Sequence, residues 1–238
     1  MAELRDHLDG TKPYRWLLFD ADGTLFDFER AEVGALARTF AQFDLPMAPG
    51  TPEAYRDVNR QCWQALERGE LSPEALRTRR FELLFAAEGI AGEAEVFGAA
   101  YLRNLAEAAD LLDGAAEVLA ALRSHYRFAI ITNGLAAVQH GRLARSAIRD
   151  DIAVLIISEE VGSAKPEAGI FDAAFMAMGH PAKSEVLMIG DSLTADMQGA
   201  CDYGIDACWY NPFCQPRPAR LPITHEISRL DELIALLT

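Results

Sequence analysis

The alternation of short apolar runs with helical segments between residues 115 and 210 constrains the fold more than any other feature of the sequence. Strands that alternate with helices pair in parallel and are covered by helices on both faces. The apolar runs here are too short to be helices, and they are 128–131, 153–157, 186–189 and 207–210. An earlier run, Trp16-Leu17-Leu18-Phe19, has the same character and stops at Asp20. We therefore predict an α/β protein whose core is a doubly wound, parallel, Rossmann-like sheet.

The segment between the first predicted strand and this alternating region contains no convincing strand. Thr51-Pro52-Glu53 and Ser72-Pro73-Glu74 each combine a hydroxyl, a proline and a carboxylate, the pattern of a helix start. Gly89 suits a helix end. We predict an all-helical cap of residues 29–111, inserted into an α/β core of residues 1–28 and 112–238.

Polar residues follow four of the predicted strands at the edge where a parallel sheet binds its ligands. In strand order they are Asp20 and Asp22, Thr132 and Asn133, Lys165, and Asp191 and Asp196. Taken singly, each has an ordinary explanation as a turn residue, a helix cap or a solvated charge. Carboxylates, a hydroxyl and a single lysine that converge on one crevice favour a functional site.

The charge of the chain limits its partners. Its net charge of −14 over 238 residues repels nucleic acid polymers and anionic lipids. A small phosphate would be repelled as well, unless a metal ion and a lysine supplied local positive charge. The sequence shows no secretory h-region, no apolar run of membrane-span length, and four cysteines without zinc spacing. We expect a cytoplasmic monomer or homodimer that binds neither nucleic acid polymers nor membranes.

Four motifs, taken in order, resemble those of the haloacid dehalogenase superfamily of phosphohydrolases. They are the DxDGTL pattern at 20–25, Thr132-Asn133, Lys165-Pro166 and the GDxxxxD pattern at 190–196. The resemblance covers the whole predicted core, and the helical insert resembles the mobile cap of that superfamily. It implies Mg²⁺-dependent hydrolysis of a phosphate monoester through an aspartyl-phosphate intermediate.

The resemblance implies distinct roles for the carboxylates. Asp20 would be the nucleophile and a metal ligand, and Asp191 a second ligand. Asp22 would bind the metal through its backbone carbonyl, while its side chain acts as general acid and then as general base. An acid at that position favours phosphate transfer over dehalogenation, because a halide needs no proton. Asp196 is expected to orient the metal site or Lys165, with direct ligation as the second interpretation.

The remaining motif residues would bind the phosphoryl group. Thr132 and the backbone N–H of Asn133 would hold its oxygens, and Lys165 would neutralise charge in the transition state. These contacts are common to phosphatases and phosphomutases, so the motifs leave the two open.

Substrate choice must come from the cap and from the loop after the first strand. The segments 58–63, 67–71 and 80–82 resemble the pyrimidine nucleotidases, as do 157–162 and 186–191 in the core. The candidate contacts are Phe26, Asn59, Trp63 and Arg80, although Trp63 could equally pack the cap and Arg80 could be a solvated charge.

The expected substrate is therefore a nucleoside 5′-monophosphate, with a preference for pyrimidines. A sugar-phosphate or other small-metabolite phosphatase, a phosphomutase, and a catalytically silent nucleotide-binding module are the alternatives.

Overall fold

The structure is a computed structural model that describes residues 14–238. The strands within these residues are β1 (Trp16–Phe19), β2 (Arg127–Thr132), β3 (Ile152–Ile157), β4 (Val186–Gly190), β5 (Asp206–Tyr210) and β6 (His225–Ile227). The α-helices are α1 (Phe28–Gln42), α2 (Thr51–Glu67), α3 (Pro73–Glu88), α4 (Ala94–Glu107), α5 (Ala115–Leu122), α6 (Ala136–Arg145), α7 (Ser158–Val161), α8 (Ala168–Ala177), α9 (Gln198–Tyr203) and α10 (Glu232–Leu237).

The strands form one parallel sheet in the order β3-β2-β1-β4-β5-β6. Its central strand, β1, is buried along its whole length, which explains its uninterrupted apolar sequence. Phe19 at the end of β1 lies level with Ile130 of β2 and Ile189 of β4. Residues that follow these strands therefore leave the sheet at the same edge. The predicted fold class is confirmed.

The chain divides into an α/β unit and a helical unit. Among the described residues, the α/β unit comprises 14–26, Leu111–Asn133 and Ala147–Thr238, and the helical unit comprises Asp27–Asp110 and Gly134–Ser146. The predicted cap of residues 29–111 leaves out α6, which packs against α4 in the helical unit.

Two neighbouring residues explain why α6 belongs with the helices. A Cβ atom at Gly141 would lie 2.8 Å from the Cβ of Ala106, so only glycine permits this close approach. The next residue, Arg142, is buried, and its Nε donates to the carbonyl of Ala108 at 2.9 Å, at the end of α4.

The helical unit is built around buried aromatic rings. Phe40, Tyr55, Phe81, Phe97 and Tyr101 are fully buried, with neighbouring ring centroids 5.1–5.3 Å apart. Ring pairs at this spacing add to the stabilisation that burial itself provides. This unit therefore has an apolar core of its own.

The helix ends in this unit match the sequence patterns in part. Ser72 caps α3 by accepting a hydrogen bond from the N–H of Ala75, and Gly89 ends α3 with a φ of 65°. Thr51 is the first residue of α2 and not its cap, because its hydroxyl donates to Glu88 at 2.7 Å instead. The sequence pattern at 51–53 predicts that Thr51 is the N-cap residue of α2, and this prediction is wrong.

Two further differences lie in the α/β unit. The predicted helix over 193–203 begins with a π-helical turn, Leu193–Met197, before α9. Strand β6 was not predicted, because only Ile227 among its three residues is buried and no apolar run marks it. Within residues 14–238, no helix has both the length and the apolar character needed to cross a membrane.

Candidate active site

Asp20 stands at the carboxyl edge of the sheet, in the centre. Its backbone N–H donates to the carbonyl of Ile189 at 2.8 Å, so it continues the pairing of β1 with β4. The chain then turns, with the N–H of Phe26 bonded to the carbonyl of Ala21. Gly23 in this turn has a φ of 87°, and a Cβ there would lie 2.9 Å from a carboxyl oxygen of Asp191. Glycine is therefore required for both the turn and the approach of Asp191.

Lys165 connects the ends of β1, β2 and β4. Its buried Nζ donates to Asp20 Oδ1 at 2.5 Å, to Asp196 Oδ1 at 2.7 Å and to the carbonyl of Ile131 at 2.9 Å. Three acceptors match the three donors of an ammonium group. The lysine predicted among the acids is thus brought directly to Asp20.

Asn133 holds the backbone of Lys165. Its Nδ2 donates to the carbonyl of Lys165 at 2.9 Å, and its Oδ1 accepts from the N–H of Lys165 at 2.8 Å. The side chain of Asn133 therefore has a positioning role that sequence reasoning did not foresee. Thr132, the last residue of β2, is buried beside it.

Both carboxyl oxygens of Asp196 already have donors. Oδ1 accepts from Lys165, and Oδ2 accepts from the N–H of Ser192 at 3.0 Å. A Cβ at Gly190 would collide with this carboxylate, so the glycine allows Asp196 to lie against the end of β4. The contacts favour the expected orienting role of Asp196 over direct ligation.

The carboxylates are close enough to hold a cation. One oxygen atom each from Asp20, Asp191 and Asp196 lies within 4.8 Å of the others. Carboxylate oxygens are the hard ligands that Mg²⁺ prefers. Three carboxylates face one lysine here, and a divalent cation would balance that excess of negative charge. Asp22 lies in the same turn as Asp20 and is half-buried.

The pKa values of the residues in this cluster reflect the excess of negative charge. Burial raises the pKa of Asp20 well above its usual value, Lys165 partly opposes the rise, and Asp196 and Asp191 add to it. The pKa of Asp191 rises to about 6, chiefly because the surrounding protein reduces the hydration of its carboxyl group although the residue itself is exposed. Burial alone would lower the pKa of Lys165, but Asp196 and Asp20 outweigh it and raise that pKa.

Two contacts to Asp191 were not predicted. The indole Nε1 of Trp209 donates to the backbone carbonyl of Asp191 at 2.9 Å, and Thr24 Oγ1 lies 3.4 Å from Asp191 Oδ1. Trp209 reaches this position because it pairs with Gly190 in neighbouring strands. An aromatic residue at the end of a strand is the only sequence signal, and it has meaning only when the strand order is known.

The predicted cap contacts Asn59 and Arg80 lie in a buried network of the helical unit. Asn59 Nδ2 donates to Glu32 Oε1 at 2.9 Å, and Arg80 Nη1 donates to Asn59 Oδ1 at 3.1 Å. The Arg80 guanidinium lies 5.3 Å and 5.0 Å from the ring centroids of Phe81 and Tyr101. Arg80 is 2% exposed, so it is not the solvated charge that sequence reasoning weighed.

The two aromatic residues that are candidates for contact with the substrate differ in their exposure. Phe26, which the sequence leaves open as a base-stacking residue or as a packing residue beneath the cap, is 1% exposed, so its ring offers no face to a base in this structure. Trp63 is half-buried and packs against the apolar core of the helical unit.

Comparison with known proteins decides the family. The family model of haloacid dehalogenase-like hydrolases matches residues 14–204. The chain belongs to this family. The predicted membership is confirmed, and so is the prediction that the protein is a hydrolase of the phosphatase type.

Several family members resemble the chain over nearly its full length. It is 36% identical to the pyrimidine 5′-nucleotidase YjjG of Escherichia coli, with 93% of this chain and 97% of that protein covered. It is 33% identical to the pyrimidine 5′-nucleotidase PynA of Streptococcus pneumoniae, with 93% and 94% covered. The structure of the hydrolase YfnB of Bacillus subtilis, solved with magnesium bound, superposes with a TM-score of 0.88 at 33% identity and covers 95% of this chain and 100% of that one.

Proposed function

We propose that this haloacid dehalogenase-like hydrolase is a magnesium-dependent nucleoside 5′-monophosphatase with a preference for pyrimidines. The observation that carries the phosphatase chemistry is the contact of Lys165 Nζ with Asp20 Oδ1 at 2.5 Å, with Asp191 beside it. An acid-rich cluster with one lysine suits an anionic nucleophile that must approach a phosphate dianion.

The carboxylates would perform two in-line steps. In the first, an Asp20 oxygen forms a bond to phosphorus while the ester P–O bond breaks, and Asp22 gives its proton to the departing alkoxide. In the second, water attacks the phosphorus of the aspartyl phosphate, Asp22 takes its proton, and inorganic phosphate leaves with Asp20 restored. Asp20, Asp191 and the Asp22 carbonyl would hold the Mg²⁺. The ion, when bound, supplies positive charge that favours ionised carboxylates and offsets the charge of the phosphoryl group.

The other motif residues would hold the phosphoryl group and position the machinery. Thr132 and the N–H of Asn133 would donate to phosphoryl oxygens, and Lys165 would offset the charge of the transition state. Asp196 would act through Lys165, which it contacts at 2.7 Å. The Asn133 side chain would keep the Lys165 backbone in place.

The substrate preference rests on the relatives and on the chemistry of bases. YjjG and PynA are pyrimidine 5′-nucleotidases and match this chain at 36% and 33% identity. Trp63 is the remaining aromatic candidate for base stacking, an interaction worth roughly 1–3 kcal/mol. The four cysteines are free thiols, which fits the cytoplasmic location that we propose.

The test compares kcat/KM for UMP, dUMP and dTMP with that for AMP, GMP and hexose phosphates. Wild-type protein and Trp63→Ala are measured side by side. We expect the pyrimidine nucleotides to be hydrolysed best, and Trp63→Ala to lose about 10-fold on them. A hexose phosphate that outperforms every pyrimidine nucleotide would leave the phosphatase chemistry standing and refute the nucleotide assignment.

The metal requirement is tested separately. Exhaustive chelation with EDTA should abolish UMP hydrolysis, and added Mg²⁺ should restore it, with Mn²⁺ as a substitute. Full activity after chelation would refute the assignment of Asp20 and Asp191 as metal ligands.

A further inference from the structure

A groove of about 460 Å³ in the α/β unit has no part in the proposed reaction. Its walls come from the starts of β1 and β2 and from the turn between α8 and β4. Parallel strands begin at the edge of the sheet opposite to the edge where they end. The groove therefore lies at the far edge from Asp20.

The lining of this groove is rich in basic residues although the protein as a whole is acidic. Arg15, Arg127, His125 and His180 line it together with a single acid, Glu185. That acid is already engaged, because one oxygen accepts from the N–H of Ala182 at 3.0 Å and the other lies 3.4 Å from Arg15. On a chain of net charge −14, two arginines in one groove stand out from the surface as a whole.

Arg127 is held in place without an acidic partner. Its guanidinium carbon lies 4.2 Å from the ring centroid of Trp16, a contact that fixes the plane of the guanidinium. Among residues 14–238 no carboxylate pairs with it. A guanidinium stacked on a ring still presents the N–H groups of its edge, which match two oxygens of a phosphate or carboxylate.

The histidines add further hydrogen-bonding groups. The side chains of His125 and His180 have no hydrogen-bond partner within the described part of the chain. His180 has a φ of 55°, and its backbone N–H donates to the carbonyl of Phe175 at 2.8 Å, so the turn after α8 fixes its backbone. A residue with a side chain has a higher conformational free energy in this left-handed region than glycine, which such a turn favours.

We propose that this groove binds a small organic phosphate at a site separate from the catalytic cluster. The groove has the volume of a small-molecule site. Two guanidinium groups and two imidazoles supply the donors that a phosphate group needs. Because Arg15 and Arg127 are exposed to solvent, we expect a dissociation constant on the order of 1 mM. This proposal does not depend on the catalytic assignment.

The test uses the histidines as reporters. Phenylphosphonate, which has no ester bond to hydrolyse, is titrated into full-length protein at constant pH and ionic strength, with chloride as the control anion. Histidine ring signals are followed by NMR and assigned with His125→Gln and His180→Gln. Saturable shifts of His125 and His180, with His140 and His225 unchanged, would support the site. Equal drift of all these signals, or the same effect from chloride, would overturn it.

Arg127 in the groove and Arg123 outside it supply a test variant and a matched control. Arg127→Gln should weaken phenylphosphonate binding about fivefold or more, and Arg127→Lys should fall between it and wild-type. Arg123→Gln, which removes an exposed arginine paired with Asp151, should bind as wild-type does. Hydrolysis of UMP by Arg127→Gln should be unchanged. Wild-type affinity in folded Arg127→Gln, checked by circular dichroism, would overturn the proposal.

Discussion

The acidic cluster of the α/β unit and the polar network of the helical unit both place charged groups in buried positions, yet their charges balance differently. In the first, Asp20, Asp191 and Asp196 face the single ammonium of Lys165. In the second, Glu32 and Arg80 are joined through Asn59. The first has more acids than its single lysine can balance. In the second, Glu32 has two arginines near it, Arg80 through Asn59 and Arg56 at 3.8 Å, and Arg80 lies against aromatic rings.

The difference teaches how to separate a functional cluster from a structural one. Burial of ionised groups is costly, and a network that pairs every charge reduces that cost. A cluster whose charges do not balance can bind a ligand of the opposite charge. We therefore expect changes in the α/β cluster to alter turnover, and changes in the helical network to alter stability.

The largest expected effect is that of Asp20→Asn. The amide keeps the shape of the side chain but removes the attacking anion, so kcat for UMP should fall by about three orders of magnitude or more. Circular dichroism should show a retained fold. Asp202→Asn, which changes an exposed aspartate of the same unit, is the matched control and should be as active as wild-type. Substantial turnover by purified Asp20→Asn would contradict the mechanism.

Asp22→Asn should have the next largest effect, and one that depends on the leaving group. Loss of the general acid should slow UMP hydrolysis by about 10²–10⁴-fold. Hydrolysis of para-nitrophenyl phosphate should fall much less, since its leaving group needs little protonation. The ratio of kcat values for the two substrates is the measurement. Equal losses on both would assign Asp22 a structural role.

A smaller effect is expected from Trp209→Phe. The ring is kept, but the 2.9 Å hydrogen bond to the Asp191 carbonyl is lost, so Asp191 is held less firmly. The Mg²⁺ concentration for half-maximal activity should rise about 10-fold, and calorimetry should show weaker Mg²⁺ binding. Tyr126→Phe, which removes a side-chain hydrogen bond to the backbone carbonyl of Leu237 in the same unit, is the matched control and should leave both values unchanged. A normal Mg²⁺ response in Trp209→Phe would show that the indole does not support the metal site.

The smallest effect on turnover is expected from Arg80→Gln, whose effect on stability should be large. The change removes a buried charge that donates to Asn59 and lies against the rings of Phe81 and Tyr101, while Glu32 keeps Arg56 at 3.8 Å, so the free energy of unfolding should fall by about 2–3 kcal/mol. The kcat/KM of the folded protein for UMP should stay within about threefold of wild-type.

Arg79→Gln is the matched control for this prediction. Arg79 is an exposed neighbour on the same helix that pairs with Glu82 at 2.8 Å, and its loss should cost no more than about 1 kcal/mol. Urea denaturation and nucleotide kinetics together check the pair. A large loss of kcat/KM in stable Arg80→Gln would make Arg80 a substrate contact, one of the two roles that the sequence left open.

Much of the α/β unit could be predicted because its signals are local. Four residues from Trp16 to Phe19 are enough to indicate a buried strand, and the polar residue that follows them marks its end. Strand β6 escaped prediction because a three-residue strand with one buried side chain leaves no apolar run.

The helical unit was harder to interpret. The same local pattern of hydroxyl, proline and carboxylate occurs at Thr51 and at Ser72, yet only Ser72 caps its helix. Glu88, which is distant in sequence, accepts a hydrogen bond from the hydroxyl of Thr51. Likewise, nothing near Arg80 in the sequence distinguishes a ligand contact from a buried partner of Asn59 and Glu32.

By itself, the sequence determined the parallel α/β core, the order of the polar motifs and the edge at which they meet, because strand periodicity and the parallel arrangement follow from local patterns. Only the tertiary structure decided which partners the polar groups take. Trp209 reaches Asp191 because β5 lies next to β4, and Arg142 reaches Ala108 because α6 packs on α4. Such contacts join residues far apart in the chain, and their partners are set by packing rather than by any pattern of neighbouring residues.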